Sequence, residues 1–527
     1  MSRTDKKRGV ASTILVLLTL TAVAVAVQQR REQPPEAKEY IAAMRISDPQ
    51  VRIKELDRII AAYPDRRYRA SLEMAIVNAK IEMATAVESV FELQKAFLKE
   101  NEGLALLSFL GRSASQILDH PNLAGFNRRK TVDIVLGYVR QGRELAADPG
   151  FVDKIPEDQR RYLSNVVPTL ILTDARAHIF AGEFREAAGA LEAYGEARGP
   201  RNSGYYYVRA EIAAGSGKKA EAAEDYMRAA ADAPRGFTAD ASAKARSIFL
   251  EIGGTEEEFE ARLERMLREL PFHPQPFEPA GEWKGKTVLL ELFTGSECAP
   301  CVGADLGFDG ILEAYDPKYV AVLEYHLPIP GPDPMMNPAS GLRQTLYGVN
   351  SAPTVVIDGE SRQSYIGGGN RAMAEQKFNF YANEIATRIY KQPALTVRAG
   401  ATISGDSVQV DFSTSSLPPG SEVHVVLVQK EEKYRGSNGL LFHKMVVRDI
   451  RTATEGASQA AFDLAESEKN ADSYLTDFEK TSTRFPDFRF PERKIRIDRD
   501  RLLAVVFVQD RESKEVYNAA VADVQKR

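Results

Sequence analysis

Only two cysteines occur in the 527 residues, and they stand three apart as Cys298-Ala299-Pro300-Cys301, directly behind the apolar run Val288-Leu289-Leu290-Glu291-Leu292-Phe293. A chain with no other thiol that sets its pair at C-x-x-C spacing after a strand-like run reads as carrying a redox dithiol. The spacing also dictates local structure. A helix that starts at the motif turns its unpaired N–H groups and positive dipole end toward Cys298, which favours a thiolate there and makes it the attacking sulfur. Cys301, one turn later, is then placed to resolve a mixed disulfide, and Pro300 costs nothing in a first turn. Two other readings of the pair stay open. Half a zinc site would need two more ligands, and the six histidines, His120, His178, His273, His326, His424 and His443, are scattered, so no metal is expected. A purely structural disulfide would close so short a loop that it removes little unfolded-state entropy.

A second strand is expected at Tyr319-Val320-Ala321-Val322-Leu323-Glu324-Tyr325-His326, and beyond it Pro353 stands before the β-branched run Thr354-Val355-Val356-Ile357, which ends in the turn Asp358-Gly359. The order strand, C-A-P-C, strand, P-T-V-V-I-D-G over residues 281–392 resembles the thioredoxin superfamily. Glu291-Leu292-Phe293-Thr294 before the motif, Ala304-Asp305 after it and Tyr325-His326 in the second strand are similar to a group of exported bacterial thioredoxin-like proteins. The resemblance implies Cys298 as nucleophile, Cys301 as resolving thiol and Pro353 as a cis-proline beside them. It also implies that Ala352 offers its backbone to an extended substrate segment, and that no cofactor is needed beyond the dithiol. Glu291 interrupts its strand where thioredoxins bury a carboxylate that exchanges protons with the resolving cysteine, and burial would raise its pKa toward that role; an exposed strand-end glutamate is the alternative. One departure matters: Glu297 stands where thioredoxin has a tryptophan, and its charge opposes a low pKa at Cys298. His326 is read as a satisfied strand-end residue rather than a catalytic base, and the proline-rich loop Pro328–Met336 as a plain surface excursion rather than a substrate-contacting flap bordering the site.

The rest of the chain divides by pattern. Arg3, Lys6, Lys7 and Arg8 precede the uncharged, mainly apolar stretch 10–27, which is a membrane anchor or a cleaved signal, with residues 1–35 forming anchor and linker. Either option places the body outside the cytoplasm, anchored to the inner membrane in the periplasm or secreted to the cell envelope, where a dithiol can be kept oxidised. Residues 36–165 have helical periodicity. Over 166–270, Ala188, Gly195 and Pro200 recur 34 residues later as Ala222, Ala229 and Pro234, which, with Tyr206, Ala210 and Tyr226, resembles a tetratricopeptide repeat. Such helices offer a surface to a partner protein or act as a spacer. From 393 to 527, short β-prone runs such as Val408–Phe412, Val423–Val428 and Leu503–Val508 predict an immunoglobulin-like β-sandwich, with Tyr474–Arg493 as an insertion between strands. A thioredoxin-like domain followed by a sandwich also resembles a family of exported bacterial outer-membrane-associated proteins. With 69 basic and 74 acidic residues, the net charge of −5 makes no case for a nucleic-acid partner.

The expected fold class is therefore multidomain: a helical-repeat region, an α/β thioredoxin-like domain and a C-terminal β-sandwich. The expected function is an exported, membrane-anchored thiol–disulfide oxidoreductase acting on envelope protein thiols. The competing reading is a non-catalytic envelope scaffold with a redox-inert thioredoxin fold.

Overall fold

The computed structural model describes residues 35–63, 69–98, 102–160, 163–196, 202–232, 236–362, 365, 367–454 and 456–527. The apolar stretch 10–27, and with it the expected anchor, lies outside them; among the described residues no helix is long and apolar enough to cross a membrane. The chain forms two compact units, which divide between Ala181 and Gly182.

The first unit is helical. Its longer helices include Pro49–Ala62, Val87–Leu98, Gly103–Leu118, Arg128–Ala147 and Leu163–Ala181. Local chemistry sets their starts: Asp48 accepts hydrogen bonds from the Gln50 and Val51 amides ahead of Pro49, and Asn127 accepts one from Lys130. Leu110, Ala114, Ile117, Val135 and Val139 form a buried core. His120 belongs to that core: its Nδ1 accepts the Asn122 amide, so its Nε2 donates to the Ile81 carbonyl, 2.7 Å away.

The second unit opens with the helices Phe184–Glu196, Ser203–Gly215, Lys219–Ala231, Ala241–Glu251 and Glu256–Arg268. The last starts at a capping box between Thr255 and Glu258. Ala210, Ala222 and Ala229 are fully buried, with Tyr226 among them, so the small residues of the second repeat copy do allow close packing. In the first copy the buried position is Ala187, not Ala188, and a Cβ at Gly195 would point into open space; Pro200 and Pro234 lie outside the described residues.

Ten strands then form one mixed sheet in the order β3-β1-β2-β7-β6-β9-β10-β4-β5-β8. They are β1 Val288–Thr294, β2 Val320–His326, β3 Thr354–Ile357, β4 Val397–Ser404, β5 Ser407–Thr414, β6 Ser421–Lys433, β7 Phe442–Thr452, β8 Gln459–Asp463, β9 Leu502–Asp510 and β10 Val516–Lys526. β1 and β2 run parallel, from Val288 opposite Val320 to Thr294 opposite His326, and every residue of both is buried. Continuous apolar runs suit such doubly covered strands. Helix Val302–Ala314 packs with helix Ala374–Ala386 on one face, where Phe308 meets Tyr381 edge-on. Helix Pro338–Tyr347 covers the other, capped by Asn337 at its start and ended by Gly348 in the left-handed region.

The sandwich expected to begin at residue 393 is not a separate sheet. β7 joins the edge of β2 in parallel through Glu324 and Val446, and β6, β9 and β10 follow it. The reason lies in β6 and β9, which are apolar on both faces. Val425, Leu427, Val506 and Val508 pack against Val408, Val410 and Phe462 of β5 and β8, while Val426, Val428, Val505 and Phe507 join the core of β1 and β2. A strand with two apolar faces needs cover on both. The expected insertion is a helix, Leu464–Thr481, and a loop that leads to β9.

Candidate functional site

β1 ends at Thr294, and Gly295-Ser296-Glu297 carry the chain into a single tight turn, Ala299–Cys301, that feeds the helix Val302–Ala314. The predicted helix start at the motif is thus in place. Cys298 and Cys301 are joined as a disulfide with Cα atoms 5.2 Å apart. Both residues are fully buried.

The turn is held from the side by backbone. Gly369 donates to the Pro300 carbonyl and Gly303 donates to the Gly369 carbonyl, each at 2.7 Å. A side chain at Gly368 would meet the Pro300 carbonyl oxygen at 1.8 Å, so only glycine fits. Gly367, in the same segment, donates to the Pro353 carbonyl at 3.4 Å. One short segment therefore touches both the C-x-x-C turn and the proline loop. The Ala352–Pro353 peptide is cis, as is Ile329–Pro330; Pro353 is buried and Ala352 half-buried.

Glu291 is buried, but on the face away from that helix. Arg343 of the helix Pro338–Tyr347 binds it through Nε at 2.9 Å and through Nη2 at 2.7 and 2.8 Å, and the hydroxyls of Tyr325 and Tyr347 donate to the same carboxylate. Arg343 Nη1 continues to Gln509 on β9 at 2.8 Å. Both oxygens of Glu291 are occupied, and they tie β1 to the helix Pro338–Tyr347 and, through Arg343, to β9.

The opposite face, under the helix that follows the dithiol, carries a second set of buried titratable groups, of which only His326 was weighed from the sequence. Asp305, one turn beyond Cys301, accepts the Thr294 hydroxyl at 2.7 Å; burial pushes its carboxyl up to about 7, with Thr294 and His326 pulling it back. Burial likewise raises Asp309 to about 6 against the pull of Lys444, and lifts Glu324 well above the usual carboxylate range, with Asp305 and Asp309 adding to it. His326 and Asp333 form a buried pair at 2.9 Å, and Asp333 also accepts the amides of Ser296 at 2.6 Å and Met335 at 2.8 Å. Burial alone would raise Asp333, but His326 and those amides outweigh it and hold its pKa below the ordinary value. His443 stacks edge-on to His326 at 5.2 Å, and burial drives its pKa down to about 3. Ser296 Oγ, Asp305 Oδ2, Glu324 Oε1 and His326 Nε2 are buried without a hydrogen-bond partner in the protein. The proline-rich loop Pro328–Met336 supplies Asp333, Met335 and Met336 to the buried interior, so it is part of the site's wall and not the surface excursion expected. Glu324 had a signal in the sequence: it interrupts β2 as Glu291 interrupts β1.

Among the described residues no group of three or more His, Cys, Asp or Glu side chains is arranged to hold a metal ion. A cleft of about 1050 Å³ in the second unit is lined by residues including Arg228, Arg262, Glu269 and Arg371, and none of its lining residues belongs to the dithiol turn.

No family model matches the chain, and no curated protein matches it. Among solved structures the chain is similar to HBP35 of Porphyromonas gingivalis, with 15% identity over 46% of this chain and 76% of that one and a TM-score of 0.28. At that score the likeness supports no argument about fold or site.

Proposed function

We propose that residues 281–392 form a thioredoxin-like unit and that the protein is a thiol–disulfide oxidoreductase acting on protein thiols of the cell envelope. One observation carries the reading: the only two cysteines of the chain are paired as a disulfide at the start of a helix, on a turn that shares the Gly367–Gly369 segment with the Pro353 loop. Cys298 is the sulfur a substrate attacks, and Cys301 is its resolving partner. A substrate thiolate attacks Cys298 Sγ, the Cys298–Cys301 bond breaks, and Cys301 leaves as a thiolate that takes up a proton. A second substrate thiolate then attacks the substrate sulfur of the mixed disulfide and releases Cys298. Two electrons and two protons pass from the substrate dithiol to the protein, and the reverse sequence reduces a substrate disulfide. Ala352 and Pro353 present backbone to the substrate segment. The protons are handled by Asp305, whose carboxyl burial pushes up to about 7, with Glu324, also raised by burial, beside it, and not by Glu291.

In the same reading, residues 10–27 anchor or export the chain, the helices over 166–270 present a tetratricopeptide-like surface to a partner protein, and β4, β5 and β8 over β6 and β9 make a sandwich-like layer. The complete burial of Cys298 favours a second reading, a redox-inert scaffold. Trapping separates the two. Cys301→Ser in full-length protein is expected to accumulate mixed disulfides with envelope proteins through Cys298, and Cys298→Ser to accumulate none. Equal trapping by both variants, or by neither, rules out the oxidoreductase.

A further inference from the structure

The three residues that lead into the buried Cys298 are held by a segment from outside residues 281–392. The turn between β6 and β7 reaches back across the sheet, and its tip is closed on itself by hydrogen bonds from Tyr434 to the Leu441 carbonyl, from Gly436 to the Leu440 carbonyl and from Gly439 to the Gly436 carbonyl. The tip grips the three residues before the dithiol one by one. Asn438 Nδ2 donates to the Gly295 carbonyl at 3.3 Å, the same carbonyl that receives the Cys298 amide; the Asn438 amide donates to the Ser296 carbonyl at 3.0 Å; and the Ser437 hydroxyl donates to the Glu297 carboxylate. Asn438 Oδ1 accepts the Leu440 amide at 3.0 Å, which holds the side chain in its gripping position. Gly436 passes so close that a Cβ there would lie 2.5 Å from the Ser296 carbonyl oxygen. Two further anchors fix the tip: Leu440 is buried with Phe272, Val302, Leu306 and Ala374, and Arg435 donates to the Ala230 carbonyl of the helix Lys219–Ala231 at 3.3 Å.

We propose that the tip Arg435–Leu440 is a detachable cap that determines which substrates reach Cys298. In the closed form seen here the nucleophile is sealed. A substrate is a segment of extended polypeptide that takes the tip's place and offers its own backbone N–H groups to the Gly295 and Ser296 carbonyls, which Asn438 now occupies. A folded surface, which has no free N–H row at its disulfide, does not displace the cap. Access to the dithiol is thereby set by the C-terminal strands, and through Arg435 it is coupled to the helical repeats. Leu440 is the tip's apolar anchor, and the rest of the tip is held by hydrogen bonds, which a substrate backbone can replace one for one.

The cap builds on the oxidoreductase reading, but its test reads chemical access and not activity. In full-length protein, the rate at which dithiothreitol reduces the disulfide, and the rate at which iodoacetamide alkylates the reduced Cys298, are measured for the wild type, for Asn438→Ala and for a variant in which residues 436–439 are replaced by a two-residue turn. Removing side-chain hydrogen bonds present only in the closed form raises its opening constant, so both rates are expected to rise about tenfold in Asn438→Ala and further in the shortened variant. Unchanged rates in variants that still unfold cooperatively overturn the cap. If a variant does not fold, the wild type in urea below its transition decides. A reduction rate nearly independent of urea, matching the amide hydrogen exchange of Asn438, supports local opening; a rate that climbs with the full denaturant dependence of global unfolding overturns it. A protein that passes here yet traps no mixed disulfides would leave the cap standing and remove the oxidoreductase.

Discussion

Two glutamates on neighbouring strands, Glu291 of β1 and Glu324 of β2, are both buried, and they live under opposite rules. Because side chains alternate along a strand, Glu291 and Tyr325 point to the face of Arg343, while Glu324 and His326 point with Thr294 to the face of the helix that follows the dithiol. Glu291 meets a guanidinium and two hydroxyls. Glu324 meets Asp305 and Asp309, like charges, and has an oxygen with no partner. The first arrangement satisfies the carboxylate with donors, and the second raises its pKa. Burial is common to both, so burial of a carboxylate in this fold does not by itself mark a proton-exchanging group; what stands opposite it decides.

The largest effect belongs to the paired face. Glu291→Gln leaves the Arg343 charge buried without its partner and is expected to cost about 3–5 kcal/mol in denaturant unfolding, while Glu291→Leu combined with Arg343→Met costs far less. A small loss for the single variant would break the comparison at once. Next is Asp333→Asn, which weakens three hydrogen bonds to a buried carboxylate and is expected to cost about 1.5–3 kcal/mol at neutral pH. Since the folded state holds the Asp333 pKa below its ordinary value, its contribution is present above the ordinary carboxylate range and disappears as pH falls through the folded value; the gap between wild type and Asp333→Asn should close in acid.

The smaller effect has the opposite sign. Asp305 keeps its proton in the folded state up to about 7, whereas the unfolded chain has lost it well below that, so the folded state binds more protons in between and stability falls as pH rises through that window. Asp305→Asn is expected to remove about 1–2 kcal/mol of that fall between pH 5 and 7, seen as a flatter dependence of the unfolding midpoint on pH. An unchanged slope would mean that this face is as well satisfied as the other.

The dithiol, its strand, its helix and the proline loop were legible because each rests on local chemistry: two cysteines at a helix-start spacing, an apolar run, and a proline before a β-branched segment. The face on which Glu291 lies was not, since a glutamate in an apolar run says nothing about which helix covers it; Arg343 arrives from 52 residues away. Nor was β7 legible, because its polar residues find partners only in the assembled sheet, where Lys444 meets Asp309 and Arg448 meets Glu432. The continuation of one sheet into the C-terminal strands follows from the two-faced apolar runs of β6 and β9, which a sandwich strand with one wet face would not have. Asn438 gave no signal at all, as an Asn-Gly pair reads first as a hairpin turn.

The central claim is that the dithiol is proton-coupled to the Asp305 and Glu324 face and not to Glu291. The most direct test is the rate of iodoacetamide alkylation of reduced Cys298 as a function of pH in the wild type, Glu291→Gln and Asp305→Asn, each confirmed to be folded under the assay conditions. The account predicts a step near the pH of about 7 at which Asp305 titrates, kept in Glu291→Gln and lost in Asp305→Asn. A step that vanishes with Glu291 and survives the loss of Asp305 would contradict it.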